Sequence, residues 1–304
     1  MQDYTFPPPV FVLAPPGMPG QTVAAALGQN PAAYDLPECN LELAGTMDVL
    51  LRELTGMRAG QLHGVLRALA QLLAGEQTMA AVELARRWLM RHAYLPTADV
   101  AHRLAALVAP RQMVTPITAA LFDAGATERL IAAFPQAWFV HLEMHPRSHG
   151  VAVMAQAGGA AAALLGALDQ TVSPPLVDPQ ELWMMAEDGI AAFGAAVPAG
   201  QMLELRIEDL LADPEGRLGA LAHSIGLPCD AAAVARMCHP ERSAFTGPGP
   251  FGAHLGGDIL ALAALGTTLA PLTDRALRGP LPWRPDAAGF RVEVQRLAAA
   301  MGYH

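Results

Sequence analysis

The sequence predicts an α/β fold, helix-rich, with a central parallel sheet flanked by helices. Three observations predict it. Short β-branched and aromatic runs (Val10-Phe11-Val12-Leu13, Trp138-Phe139-Val140-His141-Leu142, Met202-Leu203-Glu204-Leu205-Arg206) alternate with longer apolar helical stretches, the order that places a parallel sheet between helical layers. The first run breaks at Ala14-Pro15-Pro16-Gly17 and reopens as a helix. With 304 residues, 53% of them hydrophobic and 15% charged, the chain has the material for a sizeable core, and disorder is excluded as its main state.

Taken in order, residues 10–13 read as a buried strand. The Gly- and Pro-rich loop 16–20 follows, then a helix from Gln21 to Gly28, ended by Gln29-Asn30-Pro31. Residues 41–108 are helical almost throughout, with breaks at Gly60, Gly75 and Pro96. Leu66, Leu69, Leu72 and Leu73 make a core stripe. Met113-Val114-Thr115-Pro116 is short and extended. Thr127 to Phe134 is a helix with Thr127 as its cap. Trp138 to Leu142 is the clearest strand. His145-Pro146 breaks it, and a long Ala-rich helix follows. Further helices run over 183–193, 214–225 and 292–301, and Met202 to Arg206 alternates as a strand. There is no internal repeat and no linker, so residues 1–304 are expected to form one domain with a helical insertion at about 41–110.

Composition narrows the chemistry. The chain contains no lysine, so all 19 basic residues are arginine. That excludes a Walker A loop, a Schiff base and a lysine general base. The four serines (Ser148, Ser173, Ser224, Ser243) lie outside any G-x-S-x-G elbow. A net charge of −9 argues against a nucleic-acid partner. Cys39, Cys229 and Cys238 are too few for a disulfide framework or a zinc site, and a reducing cytoplasm is the expected location. No basic n-region precedes an apolar run at Met1–Phe11, and the apolar stretch Val151–Leu168 carries Gln156 and many small residues. It is expected to be a core helix rather than a membrane span.

Several segments, in order, resemble one family. Phe134-Pro135-Gln136-Ala137-Trp138-Phe139-Val140-His141-Leu142 with His145-Pro146-Arg147 is similar to the "FPDARFIHLVRHPR" stretch of bacterial sulfotransferases, which use 3′-phosphoadenosine 5′-phosphosulfate (PAPS). Leu205-Arg206-Ile207-Glu208-Asp209-Leu210-Leu211-Ala212-Asp213-Pro214-Glu215 resembles the family's "RYEDLVADPE", and Ile225-Gly226-Leu227-Pro228 its "LGLP". The resemblance runs from about Val10 to Tyr303 and implies a P-loop-like, sulfotransferase-like fold.

The same resemblance implies a PAPS site, and here the sequence departs from it. The family's phosphate loop, "PRSGTT" or "PKSGTT", aligns with Gly17-Met18-Pro19-Gly20-Gln21-Thr22, so Met18 stands where a cation belongs and Pro19 has no N–H. The Arg before "HP" and the Ser eight residues on, which grip the 3′-phosphate, become Met144 and Ala152, with Glu143 alongside. A Lys before Thr-Pro becomes Val114. A hydrogen bond to a charged group contributes roughly 1.5–3 kcal/mol, so losing two or three lowers affinity by about 10³-fold or more. The positions left to hold a cofactor are Gly17, Gly20, Gln21 and Thr22, with Arg147 and Ser148 at the second element. No cofactor is certain, and PAPS applies only if this divergent site still binds it.

The catalytic candidates are Glu38, His145, His239 and His254. Glu38, in Leu36-Pro37-Glu38-Cys39-Asn40-Leu41, matches the family's "PPELHLL" stretch beside the acceptor, where a carboxylate serves as general base. The alternative is a solvated loop acid. Asp35 and Glu42 make its surroundings acidic. His145 and His149 lie near the old phosphate site. His141, His145 and His149 are spaced by four, but a strand and Pro146 separate them, so no metal site is expected. His239, next to Glu241, and His254 sit on late loops of the kind that close the family's acceptor site. Arg206 and Asp209 are expected to pair with each other, and the Met-rich stretches (Met144, Met154, Met184, Met185) to be adaptable core.

Three readings stay open. One is a repurposed tailoring enzyme for a small or carrier-tethered substrate bearing a hydroxyl or amine, in bacterial natural-product metabolism. The second is a divergent PAPS-dependent sulfotransferase. The third is a pseudoenzyme partnered with an active homologue.

Overall fold

The computed structural model describes residues 5–247, 249–251 and 277–304. Its centre is a five-stranded parallel sheet in the order β2-β3-β1-β4-β7, built from β1 (Val10–Leu13), β2 (Ala33–Asp35), β3 (Gln112–Ile117), β4 (Trp138–Glu143) and β7 (Met202–Arg206). Val10 pairs with Val114 on one side and Trp138 on the other, so β1 lies in the middle. It is buried on both faces, which explains why Val10-Phe11-Val12-Leu13 reads as an unbroken apolar run.

Alternate side chains of the sheet serve opposite layers. Val10, Val12, Val114, Val140 and Leu142 pack with Val23, Ala24 and Leu27 of α1 (Gly20–Gly28). Phe11, Leu13, Met113, Ile117 and Phe139 face the other core, with the helices α2 (Met47–Glu53), α3 (His63–Ala74), α4 (Met79–Arg91), α5 (Thr97–Val108) and α6 (Ala124–Ala133). The helix after β1 therefore lies on one face and the helix after its neighbour β3 on the other. The two connections part at the carboxyl ends of the strands, which is where open α/β sheets form their crevice.

The expected strands at 10–13, 113–116, 138–142 and 202–206 are all present. Several expectations need correction. Helix α6 begins at Ala124, and its cap is Asp123, whose carboxylate accepts the Ala126 N–H; the Thr127 hydroxyl instead donates to the Ala120 carbonyl. The Ala-rich stretch after His145 is not one helix. It is α7 (Pro146–Ala155) and α8 (Ala160–Leu164), separated where Gly158 and Gly159 take φ of 64° and 80°, a backbone region that no right-handed helix can pass through. Val151–Leu168 is accordingly not one core helix; it ends in β5 (Leu168–Asp169), which pairs antiparallel with β6 (Leu176–Val177).

Arg206 does not pair with Asp209. Its cross-strand neighbour in β4 is Glu143, at 3.3 Å, and Asp209 pairs with Arg217 at 3.1 Å. Strand register brings Arg206 to Glu143, whereas Asp209 has already turned into α10 (Ile207–Ala212), facing α11 (Pro214–Ser224). The remaining helices are α9 (Pro179–Ala196), α12 (Ala231–Met237) and α13 (Val292–Ala300). The segment from Leu277 to Tyr303 closes against Trp183 of α9 through Leu281, Phe290 and Val294. Among the described residues no helix is long and apolar enough to cross a membrane.

Candidate functional site

The loop from Pro15 to Pro19 joins β1 to α1 at the crevice. It is held from below by α7, where His149 Nε2 lies 2.8 Å from the Pro16 carbonyl and a Cβ at Gly17 would lie 2.7 Å from Val153 Cγ2. A carbonyl only accepts, so Nε2 carries the proton and Nδ1 is the bare acceptor. His149 is fully buried, and burial lowers its pKa to about 4.

That shift has a direct consequence for stability. The unfolded chain takes up a proton on His149 near pH 6.5 and the folded chain only near 4, so stability is fully present above about 6.5 and falls as pH drops from there to about 4. The loss is on the order of 3 kcal/mol at most. Urea midpoints of wild type and His149→Phe across this window are expected to diverge, with the wild type falling more steeply.

Two of the loop's N–H groups bond to the loop's own carbonyls. Met18 N–H bonds to the Pro15 carbonyl at 3.0 Å and Gly20 N–H to the Met18 carbonyl at 2.9 Å, while Pro19 has none. The Met18 side chain packs against the α1-side core. Met144 is fully buried in the same core, and its carbonyl accepts the Trp183 indole N–H. Arg147 engages the segment near the C-terminus: its guanidinium donates to the Pro280 and Arg278 carbonyls, both at 2.8 Å, and lies over the Phe290 ring. Arg206 is occupied by Glu143, the Met301 carbonyl and the Tyr303 ring.

Other cofactor-site positions remain polar. Both polar atoms of the Gln21 amide, the Thr22 hydroxyl and the Ser148 hydroxyl are buried without a partner, as is His149 Nδ1. These groups fit a neutral or weakly charged polar ligand. The phosphosulfate and 3′-phosphate of PAPS call for fixed cations and outward loop N–H groups, and none of these side chains is a cation.

The described catalytic candidates, Glu38, His145 and His239, make contacts of different kinds. Glu38 is not a solvated loop acid. Its carboxylate turns inward and accepts the N–H groups of Thr118, at 2.6 Å, and Ala119, at 3.0 Å, at the start of the turn 119–122. Burial, partly offset by those bonds, holds its pKa above the ordinary value. His145 caps α7, with Nδ1 accepting the Arg147 N–H at 3.1 Å and its own N–H donating to Glu208, so its visible role is to start that helix. His239 lies on the surface, 2.8 Å from Glu241. Among the described residues no hydrogen bond or ion pair joins it to Glu38. His254 lies outside the described residues. His141 pairs with the buried Glu187 of α9 at 3.2 Å, away from His145 and His149, and no group of three His, Cys, Asp or Glu among the described residues is placed to hold a metal ion.

One acid that the sequence reading set only in the background emerges as unusual. Glu42, in the turn 41–43, is buried, with its Oε1 unpartnered. Burial, reinforced by the charge of Glu38, raises its pKa to about 7. The signal in the sequence is a single acid between two leucines, Leu41-Glu42-Leu43.

A model of the sulfotransferase family matches residues 9–231. Among solved structures, the chain is similar to the sulfotransferase domain from the curacin biosynthetic pathway, with a TM-score of 0.77 and 19% identity over 98% of both chains. It is also similar to the sulfotransferase domain from the Synechococcus PCC 7002 olefin synthase, with a TM-score of 0.70 and 20% identity over 100% of this chain and 98% of that one. At these identities the likeness is one of fold. A search of curated proteins finds no match.

Proposed function

This chain belongs to the sulfotransferase family, and from that premise we propose that it is a repurposed member: its PAPS site is degenerate, and it acts on a small or carrier-tethered molecule bearing a hydroxyl or amine. The observation that carries this is the donor loop. Of the two positions where the family pattern calls for cations, Met144 is buried in the apolar core and Met18, partly buried, packs against it, and the loop N–H groups of Met18 and Gly20 bond to the loop's own carbonyls. An anion arriving there would meet neither charge nor free donors from Met18 to Gly20. The origins of the two similar domains, a biosynthetic pathway and an olefin synthase, support a place in natural-product assembly. On this reading Glu38 belongs to the acceptor side, where its carboxylate orders the chain leaving β3. On this reading no donor step runs through PAPS.

A second reading has one observation in its favour. Gln21, Thr22 and Ser148 hold buried polar atoms without partners, and such atoms cost stability unless a ligand or water satisfies them. A divergent sulfotransferase that still takes PAPS would use them. The two readings part in a turnover assay with PAPS and a panel of hydroxyl- and amine-bearing acceptors. The expected outcome is no release of adenosine 3′,5′-bisphosphate above the no-enzyme rate. Acceptor-dependent release would establish the second reading.

A further inference from the structure

We propose that the outward face of α4 is a self-association surface, where two copies of this chain pack with their α4 helices antiparallel. The helix starts where the Thr78 hydroxyl accepts the Ala81 N–H. Ala81, Val82, Ala85 and Leu89 are buried in the core that holds Leu66 and Leu69 of α3. The same helical period places Met79, Glu83, Arg86 and Met90 in one row on the exposed side. Met79 and Met90, at the two ends of the row, are 62% and 61% exposed. The row therefore holds two large apolar side chains in water with an acid and a base between them.

The occupant is a second copy because the row is complementary to its own reverse. About a two-fold axis between Leu84 and Ala85, Met79 meets the second copy's Met90 and Glu83 meets its Arg86, and each contact occurs twice. A parallel arrangement would set Glu83 against Glu83 and Arg86 against Arg86, which like charge disfavours. The charges are available for the antiparallel pairing. Arg86 Nε lies 3.8 Å from the Glu83 carboxylate and Arg87 Nε 4.0 Å, with all three side chains more than half exposed; these separations are beyond hydrogen-bond reach. Arg87 and Arg91 stand about a quarter turn around the helix from the row, so they stay in solvent beside the seam. An anionic membrane fits less well, because it would repel Glu83 in the middle of the row. A 13-residue helix is about 20 Å long. Its face covers less than the ~800 Å² per partner of a standard interface, so the dimer is expected to be weak, with a dissociation constant on the order of 10–100 µM. The proposal is independent of the donor-loop reading.

The test is sedimentation equilibrium of the full chain from about 5 to about 500 µM, since association is read from its concentration dependence. The expected result is a monomer–dimer equilibrium that Glu83→Arg and Arg86→Glu each weaken at least about tenfold, because each turns two opposite-charge contacts into like-charge ones. Mixing the two variants should restore association to about the wild-type level, because every charged contact across the seam is then Glu with Arg again. Met90→Glu should weaken the wild-type dimer about tenfold as well. All three positions are exposed, so the variants are expected to keep the wild-type circular dichroism spectrum, and the wild-type measurement needs no variant at all. A wild-type chain that stays monomeric throughout, a dimer that both charge variants leave intact, or no recovery on mixing would each overturn the proposal. So would a monomer that sediments with vesicles of equal parts phosphatidylserine and phosphatidylcholine, which would give the face to a membrane.

Discussion

Met144→Arg is expected to lower the unfolding free energy by about 3–5 kcal/mol, because it buries a guanidinium without a partner. Met144 sits at the carboxyl end of β4 with its side chain fully enclosed among Val140, Leu142 and Ile207. The neighbouring carboxylate, Glu143, points to the other side of the strand and is already paired with Arg206. Against a total stability of about 5–15 kcal/mol, such a loss is visible in any chemical or thermal melt. The result also bears on function. The family resemblance places a phosphate-gripping arginine at this position, so a variant as stable as wild type would mean that the position opens to a ligand-sized, hydrated space. In that case the apolar burial of Met144 no longer supports the degenerate-site reading.

Gly64→Val is expected to destabilise at or beyond the upper end of the ~1–3 kcal/mol typical of overpacking. A Cβ at Gly64, in the first turn of α3, would lie 1.7 Å from the Glu38 backbone oxygen. The obstacle is main chain, so no side-chain rotation relieves it, and either α3 or the 36–43 segment must move. That segment carries Glu38 and the residues Leu36, Cys39, Leu41 and Glu42, which line a cavity. Its displacement should therefore also release the Glu38 carboxylate from the Thr118 and Ala119 N–H groups. A urea melt measures the first effect and amide hydrogen exchange at Thr118 and Ala119 the second. Wild-type stability with unchanged protection would show that α3 does not press on this segment.

The strands at 10–13, 138–142 and 202–206 were legible because β-branched and aromatic runs ending at Gly, Pro or a charged turn are local signals. β2 was not, because Ala33-Tyr34-Asp35 is too short to show any alternation and lies between Pro31 and Pro37. The α6 cap is not legible from Thr127, which lies one turn inside the helix that Asp123 caps. The Gly158-Gly159 break was in plain view but was outweighed by the surrounding alanines. At the site, it is the family resemblance that marks Met18 and Met144 as positions where cations are expected. The inward turn of Glu38 could not be read from the sequence, since it depends on Thr118 and Ala119, eighty residues away. The orphaned oxygen of Glu42 could not either, since only the packing of Arg129 decides which oxygen of that residue it bonds.

The measurement that tests the central claim most directly is a calorimetric titration of the wild-type chain with adenosine 3′,5′-bisphosphate at about 0.15 M salt, where surface charge effects are screened. Losing two or three charged contacts of roughly 1.5–3 kcal/mol each moves a micromolar site to about millimolar or weaker. The account predicts no saturable heat below about that concentration. A micromolar dissociation constant would contradict it and return the chain to the working sulfotransferases.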